Sequence, residues 1–201
     1  MRALRLLLGL LLLSAPAALS AQNGAAATPY TPEYSKDGRL RLPKNYREWI
    51  YLSSGLGMTY NKSGSGMDHV MFDNVFVNRE AYGSFLETGT WPDKTVMVLE
   101  NRGAESNGSI NKAGHYQSTD LMGVEVHIKD ASHFPGKWAF VTFDSEQGDL
   151  VPPAATCYSC HADHAAVDTT FVQFYPTLLP IAKAKGTFSA AYLKELTAAA
   201  K

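Results

Sequence analysis

Cysteine is nearly absent from this chain of 201 residues: there are two, Cys157 and Cys160. No basic cluster occurs, and 18 Lys and Arg against 19 Asp and Glu leave a net charge of −1. That balance argues against nucleic acid and against anionic membrane surfaces as partners, since both call for concentrated positive charge. No internal repeat is visible. After residue 21 no stretch is apolar enough to span a bilayer, which takes about 20 consecutive apolar residues. No second C-x-x-C and no close Cys/His pair accompanies the two cysteines, so a structural zinc site lacks its four ligands even with His164 counted as a third. No methionine follows Cys160.

The one long apolar run stands at the start. Met1-Arg2-Ala3-Leu4-Arg5 is short and cationic, Leu6 to Leu13 is apolar, and small residues continue to Ala21. This is the order of a secretory signal peptide, with cleavage expected after Ala18-Leu19-Ser20 or one residue later. The run is too short for a membrane helix, and no cysteine near the cleavage site offers a lipid anchor. Residues 1–21 are therefore read as a signal peptide, and the mature chain as exported, with no membrane contact. Its removal takes away Arg2 and Arg5 and no acid, which moves the net charge to about −3.

What the chain does hold is Cys157-Tyr158-Ser159-Cys160-His161. C-x-x-C-H is the attachment signature of a c-type haem. Two thiols one helical turn apart can each add across a haem vinyl group, and the adjacent imidazole can then ligate the iron. Cys157, Cys160 and His161 are the expected cofactor-binding residues, with His161 the metal ligand, for one covalently attached haem c per chain. A disulfide within the motif competes with this reading in an oxidising compartment, and thioredoxin-like enzymes use the same spacing. Their motif opens a helix early in a βαβ unit, however, and nothing before Cys157 has that pattern. Covalent haem attachment takes place outside the bacterial inner membrane, which agrees with the export signal and points to the periplasm.

A mature chain of about 180 residues suits one domain with a single core. Residues 22–36 show no periodicity and read as an extended arm; residues 37–201 read as one haem-binding domain. Asn45-Tyr46-Arg47-Glu48 has the form of a capping box and predicts a short helix to about Ser53. Gly55 to Gly66 reads as a loop. His69 to Val77 is β-branched and aromatic, as in a strand. Asn78 then caps a helix over Arg79 to Glu87, which Gly89 stops. Trp91 to Lys94 is a turn into a strand from Thr95 to Glu100, and Arg102 to Gly114 reads as an exposed loop. Leu121 to Lys129 alternates Val124, Val126 and Ile128 with Glu125, His127 and Lys129, which predicts a half-buried strand. Lys137 to Asp144 is another strand. Thr170 to Pro176 is a compact aromatic segment, and Ala190 to Ala200 predicts a terminal helix.

The late haem motif sets this chain apart from two familiar plans. Small class I carriers place the motif near the N-terminus and supply a methionine downstream. Four-helix cytochromes c′ carry it late, but behind amphipathic helices. A third plan matches. Asn45-Tyr46-Arg47-Glu48-Trp49, the strand from His69 to Val77, Thr88-Gly89-Thr90-Trp91-Pro92-Asp93, Gly123-Val124-Glu125-Val126, Gly136-Lys137-Trp138 and the late C-x-x-C-H with Phe171 to Pro176 occur in that order. Together they resemble the cytochrome P460 family, mostly-β mono-haem c proteins that include the β-type cytochromes c′. The resemblance spans most of the mature chain. It implies an iron ligated by the motif histidine alone, an opposite face open to small molecules, and a homodimer. It also implies one of two activities. P460 enzymes oxidise hydroxylamine, with a lysine bonded to the porphyrin edge and a carboxylate assisting proton removal. The β-type cytochromes c′ bind nitric oxide in a phenylalanine-lined pocket and lack the cross-link.

Family members carry a Gly-Lys pair before a Trp-Pro-Asp-Gly turn. Here these read Gly89-Thr90 and Trp-Pro-Asp-Lys, which makes Lys94 the candidate for a cross-link, against its reading as an exposed turn lysine. Glu100, at the end of the apolar run Val96 to Leu99, is the first candidate for the proton-accepting carboxylate. Glu125 alternates with apolar neighbours and can point away from the core. Phe72, Phe76, Phe140 and Phe143 are candidates for a pocket wall, most of them expected in the core. His69, His115, His127, His133, His164, Met58, Met67, Met71, Met97 and Met122 are candidates for a sixth iron ligand. The expected fold is α+β: an antiparallel β-sheet with short helices, the haem c clasped by the C-terminal segment. The expected protein is a periplasmic haem c cytochrome with an open iron site that binds or oxidises hydroxylamine or nitric oxide and exchanges electrons with a partner protein. The alternative is a gas-binding protein or a simple electron carrier that turns nothing over.

Overall fold

A computed structural model describes residues 29–58 and 70–199. Residues 1–21, read as a signal peptide, the first part of the segment read as an arm, and His69 and Met67 of the candidate ligands lie outside the described residues.

Six antiparallel strands form one sheet in chain order: β1 (Ile50–Leu56), β2 (Met71–Val77), β3 (Val96–Glu105), β4 (Tyr116–Lys129), β5 (Trp138–Phe143) and β6 (Asp149–Leu150). Between β2 and β3 lies α1 (Arg79–Thr88); after the sheet come α2 (Thr156–His164), α3 (Leu179–Lys185) and α4 (Ala190–Ala199). This is the expected α+β arrangement. Among the described residues, no helix is long and apolar enough to cross a membrane.

The period-two alternation along the strands builds two apolar clusters, one on each face of the sheet. On one face Val96, Val98, Val124, Val126, Ile128, Val141 and Phe143 pack under Leu40, Tyr46 and Trp49. On the other, Leu52, Val77 and Met97 pack against α1 and against the chain after the haem motif, through Phe85, Trp91, Ala166, Val172 and Leu178. The rings of Phe85 and Trp91, both buried, lie 4.2 Å apart. Each such side chain contributes roughly 1.5–3 kcal/mol by its removal from water. Trp91 also donates its Nε1–H to Thr170 Oγ1 at 2.7 Å, tying the turn after α1 to the loop after the motif.

Three local expectations change. The helix from Asn45 to Ser53 is a single 3₁₀ turn, Tyr46–Glu48, without a side-chain cap. Trp49 turns extended, and Ile50 onwards pairs with β2 instead, burying Leu52 while Tyr51 stays exposed. Sheet pairing outweighs a weak local helix signal here. Asn78 stands at the start of α1 but does not cap it; its Oδ1 accepts the Val96 N–H at 2.8 Å, holding α1 to β3. Of the segment read as a loop from Arg102 to Gly114, Arg102 to Glu105 instead continue β3, residues 106–115 form the connection, and β4 starts at Tyr116, ahead of the expected Leu121. Those residues are polar and mostly exposed, so they carry no alternation for a sequence reading to detect. Gly89 does stop α1, at φ +74, with its N–H on Phe85 O at 2.8 Å.

Candidate haem site

Pro152 and Pro153 follow β6 closely and cannot extend it, and α2 begins at Thr156 from an extended Ala155. Cys157 and Cys160 are free thiols three residues apart on this helix, so both face the same side. His161 follows. Its Nδ1 lies 2.7 Å from the carbonyl oxygen of Thr169. A carbonyl only accepts, so Nδ1 carries the proton and Nε2 is left with the lone pair that a metal takes. Burial pushes the His161 pKa down, against the opposing bond to Thr169, which favours the neutral, ligating imidazole.

An aromatic wall fixes the ring. Phe171, Phe140 and His127 lie 4.2, 4.6 and 5.1 Å from it, centroid to centroid. His127 is stacked on Phe140 at 4.1 Å and 11°, and its Nε2 is 3.2 Å from Thr169 Oγ1. Burial, and then the neighbouring His161, hold the His127 pKa well below its usual value, so it is neutral as well. The loop bearing Thr169 is itself braced. Lys129 donates to Trp91 O at 2.6 Å and pairs with Asp168 at 3.2 Å.

Cys157, Cys160 and His161 open into a cavity of about 800 Å³ whose floor is the inward face of the sheet. The register orders that floor into rows. Nearest His161 lie Met97, His127 and Phe140. In the next row, about 7 Å further along the strands, stand Ser53, Val75, Leu99, Glu125 and Thr142. A third row holds Gly55, Asp73, Asn101 and Gly123. Aromatic rings thus cluster beside the motif, and Glu125, Asp73 and Asn101 stand toward the far end among Val75, Leu99, Met58 and Met71. Glu125 is open to the cavity, yet burial raises its carboxyl pKa, and the charge of Asp73 raises it further. Burial also raises the Asp73 pKa, against the Asn101 amide that donates to it at 2.6 Å. No lysine or arginine lines the cavity among the described residues.

These residues fit a covalently held haem. Two thiols share one helix face, a neutral imidazole is oriented through its other nitrogen, and the cavity lies within the roughly 300–1,000 Å³ of small-molecule and cofactor sites.

The other candidates are distributed differently from the sequence reading. Glu100 alternates with Leu99 and Asn101, so it points to the opposite face of β3. There its carboxylate, 3 % exposed, accepts from the Tyr46 hydroxyl and from Arg102 Nε at 2.5 Å, and it pairs with Arg47. Burial raises its pKa, but those hydrogen bonds and charges outweigh burial and hold it below the usual value. Lys94 also lies outside the cavity. It sits in the turn at φ +64, paired with the buried carboxylate of Asp130 and donating to Ser132 Oγ at 2.7 Å. Of the four phenylalanines, Phe140 alone lines the cavity, on the His161 side; Phe143 packs in the opposite cluster and Phe76 on Tyr46. Phe171 and Phe174 line it too and went unnamed, although they stand in the aromatic segment just after the motif. Met58, Met71, Met97 and His127 line it. His133 is stacked on Tyr34 at 3.5 Å, His164 pairs with Glu195, and His115 and Met122 are exposed. Asp73 and Asn101 were missed because β2 and the end of β3 show no clean alternation.

No curated protein matches the chain. A protein-family model described as Cytochrome P460 matches residues 43–172, more than half of the 201, from before β1 through the C-x-x-C-H motif.

Proposed function

Because the chain belongs to the cytochrome P460 family and is therefore a haem cytochrome, we propose that it carries one covalent haem c and receives hydroxylamine at the open face of the iron, with Glu125 as proton acceptor. The observation that carries this reading is the chemistry of the cavity's far end. A carboxyl group with raised proton affinity stands there beside a second one. No phenylalanine stands in its two sheet rows, where a dry pocket for diatomic gas would be lined with rings. Bound haem would supply an iron that polarises the nitrogen and passes electrons on.

The chain's own residues account for the rest. Cys157 and Cys160 anchor the group, His161 offers Nε2, and Thr169 keeps the imidazole oriented from behind. A carboxylate is a better general base as its pKa rises toward the working pH, so the upward shift of Glu125, which is open to the cavity, suits it to take protons from an N–H or O–H. Lys94 is engaged with Asp130 outside the cavity, so this reading departs from the lysine cross-link that the resemblance implies for the P460 enzymes and rests the oxidation on Glu125; the expected spectrum is that of an ordinary five-coordinate haem c. Export to the periplasm, a homodimeric state and a partner protein that takes the electrons belong to the same proposal.

The test is protein matured with the haem-attachment machinery and examined by intact mass, optical spectrum and hydroxylamine oxidation. One haem mass per chain and oxidation that falls about 10²–10⁴-fold in Glu125→Gln are expected. Nitric oxide binding in a wild type that leaves hydroxylamine untouched would replace this reading with that of a gas-binding cytochrome.

A further inference from the structure

Across four strands, the far row of the cavity floor reads Gly55, Asp73, Asn101, Gly123. Both ends lack side chains, and a Cβ at Gly55 would meet Met58 Sδ at 2.4 Å, so that end admits no larger residue without displacing Met58. At Gly123 a Cβ would meet Asn101 Oδ1 at 3.7 Å, an ordinary contact, so glycine there leaves open space beside the amide. Asp73 and Asn101 stand between these ends, with Asn101 Nδ2 donating to Asp73 Oδ1 at 2.6 Å. Glu125 is one row nearer His161, on the strand beyond β3. Asp73 and Glu125 therefore flank β3 from its two sides, facing the same space with their backbones about 12 Å apart, two strands across and one row along the sheet.

We propose that Asp73, fixed by Asn101, is a positioning residue for the acid–base chemistry of the cavity: its negative charge on the same face strengthens the Glu125 carboxylate as the acceptor of a proton from a bound ligand. This rests on the reading of Glu125 as the proton acceptor. The groups around Glu125 leave few other sources of charge. β3 presents Leu99 and Asn101, β5 presents Thr142, β1 presents Ser53 and Gly55, and β4 itself presents His127, which is neutral. From α2 come the two thiols and His161. Arg102 and Glu100 are bonded to each other and Glu100 faces the far side of the sheet. Among the described residues Asp73 is thus the one acidic neighbour lining the cavity with Glu125, and its Coulombic effect on Glu125 is upward. The Asn101 bond favours the charged form of Asp73 and offsets part of the upward push of burial on its pKa.

The test uses the haem-loaded protein and isotope-edited infrared titration of the Glu125 carboxyl, which needs no substrate. Asp73→Asn keeps the shape and removes the charge, so the Glu125 midpoint should move about half to one pH unit lower. Asp73→Glu keeps the charge and should leave the midpoint near its wild-type value. A midpoint that follows the charge at this position is not what a merely structural role produces. The acid limb of hydroxylamine oxidation should shift with Asp73→Asn and vanish with Glu125→Gln. A Glu125 midpoint unmoved in Asp73→Asn overturns the role of Asp73, even where Glu125→Gln is inactive. The expected midpoint shift, with oxidation indifferent to Glu125→Gln, overturns Glu125 as the acceptor and leaves the coupling standing.

Discussion

Replacing Glu100 by glutamine separates a structural carboxylate from a chemical one. The side chain is buried against Tyr46 and clamped by Arg47 and Arg102 on the sheet face away from the haem motif. Breaking a buried ion pair from one side costs about 3–5 kcal/mol when the remaining charge cannot reach water. Here Arg47 is 50 % exposed and Arg102 21 %, so both can recover part of their hydration, and glutamine can still accept from Tyr46. The expected loss is therefore about 2–3 kcal/mol. For a domain of this size it corresponds to a fall in Tm of about 5–10 °C. The loss should depend on pH in one direction. The folded pKa of Glu100 lies below its ordinary 4.5, so its stabilisation is full above that value and disappears as pH falls through the folded pKa. Thermal unfolding of the haem-loaded variant and wild type at neutral and at acidic pH measures both effects. Hydroxylamine oxidation at 25 °C should be unchanged. A variant as stable as wild type at pH 7, or a stable variant that has lost oxidation, would refute the placement of Glu100 outside the site.

Lys94→Ala should cost about 1–2 kcal/mol, because Asp130 is buried and keeps only Tyr34 and Ser132 as partners while Lys94 itself is partly exposed. Its reduced optical spectrum should match wild type; a change in the Soret band would place this lysine on the porphyrin. Gly89→Ala should destabilise by about 2 kcal/mol or more in urea unfolding. The residue adopts φ +74, and a Cβ there would sit 2.7 Å from Lys185 Cβ and 2.9 Å from Thr187 Oγ1.

The haem motif and the half-buried strand Leu121–Lys129 were legible for a simple reason: each is a local pattern with a fixed spacing. C-x-x-C-H fixes its chemistry within five residues, and Val124, Val126 and Ile128 announce a sheet face by alternation alone. The helix at Asn45 failed for the converse reason. Its signal was a cap with no apolar helical face behind it, and pairing with β2 decided the outcome. Glu100 and Glu125 show the limit most clearly. Both stand among apolar neighbours on adjacent strands, and as register partners Glu100 meets Val124 while Glu125 meets Leu99. Alternation says that the two carboxylates face opposite ways, but not which way leads to the cofactor.

The sequence by itself determined that the chain carries a c-type haem motif late in a mostly-β domain, with Cys157, Cys160 and His161 as the residues expected to hold the group. Those properties belong to short segments, where covalent spacing does the work. Only the tertiary structure decided which face of the sheet becomes the cavity floor, and with it that Glu125 and Asp73 enter the cavity while Glu100 and Lys94 are held in ion pairs elsewhere. A strand has two equivalent sides until something packs on one of them. Here the chain after the motif does so, with Phe171, Tyr175 and the loop at Thr170 closing over one face, and that choice is made roughly 45 residues along the chain from Glu125 and roughly 100 from Asp73.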